Sequence, residues 1–330
     1  MIIFDILRIC AALMVFTIHL FIFVPGLPRS LCDILSNGGY GVSVFFVISG
    51  FLIFESLSRS KSLKEYYKKR VARIIPSYYA ILLVGIFVWD IWLNKMPQDT
   101  LSLGWVRYFL CLNTWVWSVE YDAWNNLWGL WTISCFMFFY LIAPFLKKWI
   151  SNYNRSAVFM VAMIPITFAF SKVAGIFYAE MGASMPDMIA VDNPIYSLNT
   201  FAMGICAWYA WKESKVKDFL RIAGVMLVGF MGLNMYNRML WGVLAALIMM
   251  LFLDVEIKNQ KITKAIKLVG RYSFCLYLVH LPVIEIIDYC GIGGAKYLVL
   301  AIICSVVAAV FLYHCVEKPC ANLLRRIGEK

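Results

Sequence analysis

Charge is scarce in this chain. Only 15% of its 330 residues are Asp, Glu, Lys or Arg, against about a quarter in soluble domains. Metal-binding and redox patterns are missing too. The ten cysteines form no C-x-x-C pair and no Cys/His spacing that suits zinc, so no metal site is expected. Cys10, Cys135 and Cys304 lie inside apolar runs and read as small hydrophobes. With no basic n-region and no small-residue cleavage site, the first apolar segment is expected to be a retained helix. Internal repeats, low-complexity tracts and linkers between soluble domains do not appear. The formal charge of +11 is not gathered into a basic stripe interleaved with exposed aromatics, so nucleic acid is not an expected partner.

What the chain has in abundance is apolar surface. Hydrophobic residues make up 62% and mean hydropathy is +0.77. A bilayer supplies the apolar solvent such a composition needs. Lipid cannot hydrogen-bond peptide groups, so the spans must be helices or closed barrels. The apolar stretches are continuous and near the ~20 residues a spanning helix requires. They lie near 2–24, 38–57, 75–94, 127–146, 156–172, 195–211, 219–236, 239–253, 272–288 and 297–313. The expectation is an all-α polytopic integral membrane protein with about ten transmembrane helices in one domain, 1–330. The aromatic-rich stretch 103–117 reads as interfacial or re-entrant.

Basic residues set the orientation. The segments 58–74, 147–155, 212–221 and 254–271 and the tail from 314 hold 23 of the 30 Lys and Arg; the opposite side holds six, and Arg8 lies within the first span. By the positive-inside rule both termini are expected to be cytoplasmic, with the basic gaps facing anionic headgroups; the membrane is expected to be that of a bacterial cell.

Arg8 and His19 share the first span, FDILRICAALMVFTIHLFIFV. An Arg near the centre of a membrane helix costs about 2.5–3.5 kcal/mol, less when it snorkels. Eleven steps of about 100° place both side chains on one face, about 16 Å apart along the axis. Either they line the same wall of one cavity, Arg8 near the cytoplasmic surface and His19 deep in the membrane, or they are a snorkelling Arg paired with Asp5 and a His bonded to a neighbouring helix. The small residues of GGYGVSVFFVISGFLIF (38–54) suit close helix packing. In KSLKEYYKKRVARIIPSYY (61–79), Arg70 and Arg73 fall on one helical face just before Pro76, where two guanidiniums suit phosphate oxygens. Most lysines there are topogenic. GRYSFCLYLVHLP (270–282) buries His280, whose bland reading is packing, and YHCVEKP (313–319) puts Glu317 at a helix end.

Taken together these segments resemble the acyltransferase 3 family of integral membrane acyltransferases. Arg8 and His19 match its R-x10-H signature, GVSVFFVISGFL (41–52) its G-x-x-x-F-F-x-x-S-G segment, and RVARIIPSYY (70–79) its R-x-x-R-I-x-P-x-Y-Y segment. GRYSFCLYLVHLP and VEKP resemble its late patterns, in the family's order. One departure stands out: where many members carry L-W-S-L-S-V-E-E-x-F-Y-L, this chain has LWTISCFMFFYLIAP (130–144), with Phe136 and Met137 in place of the acidic pair. This looks like the branch without that pair, and without the esterase-like domain that some members append.

The resemblance implies transfer of an acyl group, usually acetyl from acetyl-CoA, to a hydroxyl of an envelope glycan or glycolipid. On that basis His19 and Arg8 are the expected catalytic residues. Arg8, Arg70, Arg73 and Ser49 would serve the CoA donor, and His280, Glu317 and Tyr78 would play supporting roles. Trp117, Glu120, Asp122 and Trp124 are acceptor-side candidates, though Trp also anchors helices at interfaces. CoA is a substrate here; no bound cofactor is expected. The bilayer is a partner, and a homo-oligomer is compatible with the sequence. The rival reading is a secondary transporter or flippase of a glycolipid or small anion, which would favour inverted repeats and broken helices that do not appear.

Overall fold

A computed structural model describes residues 1–22, 24, 28–88, 104–115, 125–183, 185–233 and 238–326. Among them every regular element is helical. In chain order these are α1 (Ile3–Ile22), α2 (Arg29–Ser36), α3 (Gly41–Arg59), α4 (Leu63–Gly85), α5 (Gly104–Phe109), α6 (Trp131–Trp149) and α7 (Tyr153–Glu180). Then follow α8 (Pro186–Asp192), α9 (Leu198–Lys212), α10 (Val216–Gly232), α11 (Arg238–Leu251), α12 (Gln260–Tyr289), α13 (Gly294–Leu312) and α14 (Lys318–Arg326).

Each apolar run carries a helix. By length and composition six helical segments of the described residues can cross a membrane: Ile3–Phe21, Arg29–Arg59, Leu63–Val88, Tyr153–Glu180, Gln260–Tyr289 and Gly294–Leu323. The runs near 195–211, 219–236 and 239–253 form helices of only 15, 17 and 14 residues, shorter than the ~20 that cross unaided.

Two basic gaps differ from the expectation of loops. The segment 58–74 is mostly the first half of α4, started by the Ser62 hydroxyl, which accepts from the Glu65 N–H at 3.2 Å. That cap satisfies one of the orphan donors of the first turn. The segment 254–271 likewise contains the start of α12, capped by Asn259. Lys and Arg are good helix formers, so a basic gap need not interrupt a helix. Among the described residues of the 103–117 stretch, only Gly104–Phe109 is helical.

α3 lies at the centre, packed against α1, α6, α9 and α11. Its glycines explain how closely. A Cβ on Gly50 would strike the Phe201 carbonyl of α9, and one on Gly204 would strike the Val47 carbonyl of α3. Gly41 meets α1 the same way, at the Ala11 carbonyl. Without side chains in the seam the backbones approach to van der Waals distance, the contact on which membrane helices depend. α4 and α12 close the remaining side of this bundle, and α1 packs along α12.

Candidate active site

A cavity opens between α1, α3, α4, α6 and α12. Its wall collects Arg8, Ser49, Arg70 and Arg73, which stand on three different helices. Tyr140, Ser273 and Tyr277 add further polar groups, and Phe45, Phe136 and Phe274 are aromatic lining. The positions of the motifs converge although they are far apart in sequence.

The electrostatics are lopsided. Arg8 pairs with Asp5 at 3.2 Å, and it stands near enough to Arg73 for the two charges to repel. Among the described residues neither Arg70 nor Arg73 makes a salt bridge. Arg70 is held instead by rings: its guanidinium carbon lies 5.7 Å from the Tyr66 centroid and 5.5 Å from that of Tyr140. Nη2 of Arg70 donates to the Leu52 carbonyl at 3.4 Å, while its buried Nε has no partner among the described residues. Glu317 comes within electrostatic reach of Arg73 and accepts from the Cys275 thiol at 3.0 Å. Three guanidiniums on the wall, against the carboxylates of Asp5 and Glu317 beside it, leave this cavity positive.

His19 is not on the cavity wall. Tyr277 on that wall donates its hydroxyl to the Gly129 carbonyl at 3.0 Å and accepts from Thr132 at 2.9 Å. Beyond it lies His280, with ring centroids 5.7 Å apart, and His280 bonds His19 through Nε2···Nδ1 at 2.8 Å. Both histidines are buried. The shared face of Arg8 and His19 therefore links the arginines of the cavity wall to a histidine pair outside that wall.

The other candidates separate. Tyr78 is fully buried away from the cavity, donating to the Tyr108 carbonyl at 2.6 Å. Trp117, Glu120, Asp122 and Trp124 lie outside the described residues. Phe136 forms part of the cavity wall and adds an aromatic face to it.

Sequence reading missed Tyr66, Tyr140 and Tyr277. Tyr66 stands four residues before Arg70 and Tyr277 three before His280, spacings that place each pair on one face. Tyr140 carried no such signal, since its partner Arg70 is on another helix. A buried ion pair was also missed: Arg238 of α11 bonds Asp192 of α8 and lies over the Trp131 ring at 4.5 Å.

The model of an acyltransferase domain matches residues 1–314. The chain belongs to the acyltransferase 3 family. The acyltransferase MdmB of Streptomyces mycarofaciens is 25% identical over 97% of this chain and 91% of its own. The exopolysaccharide production protein ExoZ of Rhizobium meliloti is 25% identical over 88% and 90%, and an O-acetyl transferase of Shigella phage Sf6 is 25% identical over 94% and 92%. No solved structure matches. Family membership and these O-acetyltransferase relatives make this protein an O-acyltransferase, and its apolar helices make it a membrane protein.

Proposed function

We propose that this acyltransferase takes an acyl group, acetyl foremost, from a cytoplasmic CoA thioester and transfers it to a hydroxyl of an envelope glycan or glycolipid. The observation that carries this reading is the convergence of Arg8, Arg70 and Arg73 on one cavity. The phosphates of CoA would pair with these guanidiniums, which are suited to bidentate contact. The pantetheine arm would then extend toward Tyr277, along the direction in which α1 runs about 16 Å from Arg8 to His19. His19 acts as general base: it takes the proton of the acceptor hydroxyl as the oxygen attacks the thioester carbonyl carbon. The C–S bond breaks as the new C–O ester bond forms, and the proton held by the His19 cation passes to the thiolate, so that CoA leaves as the thiol and the base is regenerated. In this reading the chain crosses ten times with both termini in the cytoplasm, so donor and acceptor arrive from opposite sides. The similarity to the acyltransferase MdmB and to the phage O-acetyl transferase supports the reaction class, and the similarity to ExoZ, an exopolysaccharide production protein, supports a glycan acceptor.

Purified protein incubated with radiolabelled acetyl-CoA and an envelope glycolipid extract from its host tests this. Label should move to the glycolipid fraction, and mass spectrometry should find an added 42 Da, the mass an acetyl ester adds. Retention of all label in acetyl-CoA would overturn the reading.

A further inference from the structure

The two buried histidines form a directional pair. Nδ1 of His280 lies 2.7 Å from the Tyr277 carbonyl and 3.2 Å from the Leu276 carbonyl, both one turn back in α12. A carbonyl only accepts, so Nδ1 of His280 carries a proton. In the uncharged ring, Nε2 is then the acceptor. Its partner at 2.8 Å is Nδ1 of His19, which must donate. The rings are tilted by only 21° with centroids 5.0 Å apart, so the N–H of one can point along the lone pair of the other. The same rule passes one step on: with its proton on Nδ1, His19 holds its basic lone pair on Nε2.

The pair spans 261 positions of sequence and joins α1 to α12. Phe16 faces the edge of His280 with centroids 6.1 Å apart, and the Tyr277 ring lies against its other side. His280 is buried, and its backbone acceptors belong to its own helix. Packing alone does not require its polarity, since an apolar side chain would fill this site.

We infer that His280 is a positioning residue that selects the Nδ1–H tautomer of His19 and so assigns the base to Nε2. It is the part an orienting carboxylate plays in hydrolase triads, here taken by a neutral ring anchored to a backbone carbonyl. When Nε2 of His19 takes the hydroxyl proton, the resulting cation keeps donating through Nδ1 to His280, which holds its orientation through the transfer. The inference rests on His19 being the base.

His280→Leu and His280→Gln test it in full-length protein in detergent micelles, with His19→Ala alongside. Leu keeps apolar bulk and removes the acceptor. Gln restores an acceptor oxygen for His19 Nδ1–H and an N–H for the backbone. His280→Leu should lower kcat about 100-fold, the size of a general-base contribution, with KM for acetyl-CoA within twofold. His280→Gln should recover at least tenfold of that loss. A packing role predicts the reverse order, with Leu tolerated better than Gln. Leu at wild-type kcat, or Gln no better than Leu, overturns the inference while an inactive His19→Ala leaves the base in place. An active His19→Ala sinks the base itself. Should His280→Leu fail to fold, the ring-nitrogen chemical shifts of 15N-histidine-labelled wild-type protein decide: Nδ1–H at His19 is required, and Nε2–H overturns the inference.

Discussion

The guanidinium of Arg70 lies between the rings of Tyr66 and Tyr140, 5.7 and 5.5 Å from their centroids, with no carboxylate partner among the described residues. Aromatic faces attract a cation while leaving its N–H groups available in the ring plane. The geometry holds the charge in place without neutralising it, which is what an anion site needs.

Arg70→Ala and Arg73→Ala should therefore each raise KM for acetyl-CoA by roughly 10- to 100-fold, the loss of one charge-assisted contact of about 1.5–3 kcal/mol. Lys should rescue only in part, because an ammonium does not reproduce the planar fork. Steady-state kinetics at fixed acceptor give the test, and unchanged KM in both Ala variants would leave α4 a topogenic helix only.

His19→Ala should abolish transfer while purifying as a folded protein with an unaltered elution profile. A variant retaining more than about a tenth of wild-type turnover is incompatible with a general base, whose removal costs 10²–10⁴-fold.

The α3–α9 seam should be intolerant of any side chain. Gly50→Ala and Gly204→Ala each force a Cβ onto a backbone carbonyl, and overpacking of this kind costs about 1–3 kcal/mol. Gly224→Ala in α10, where nothing lies within 4 Å, should be neutral or slightly stabilising. Thermal unfolding in detergent, followed by a thiol-reactive dye or by light scattering, ranks the three. Equal melting temperatures would mean the seam is looser than the structure shows.

Topology decides whether the arginines face the CoA pool. In a background without reactive cysteines, Lys61→Cys and Lys64→Cys should resist a membrane-impermeant maleimide in intact cells and react after permeabilisation. Asp187→Cys should label from outside. External labelling at Lys61 would put the mouth of the cavity on the wrong side for a cytoplasmic donor.

Much of this was written in one dimension. Composition demanded helices or a closed barrel, because a chain with 62% hydrophobic residues must satisfy its peptide groups internally in lipid, and continuous apolar runs of about 20 residues chose helices. Helical phase alone placed Arg8 and His19 on one face of α1, and Arg70 with Arg73 on one face of α4, because 3.6 residues per turn is a local property. Basic gaps hid helix starts, since Lys and Arg propagate a helix and a cap such as Ser62 needs only one residue. What sequence did not contain was which faces meet. The approach of His280 to His19, the seating of Arg70 on Tyr140 from α6, and the Arg238–Asp192 pair all join residues on separate helices. Such contacts depend on how ridges and glycine seams interlock in three dimensions. Each helix could thus be drawn from its own residues, while the cavity and the direction of the histidine pair exist only once five helices have packed.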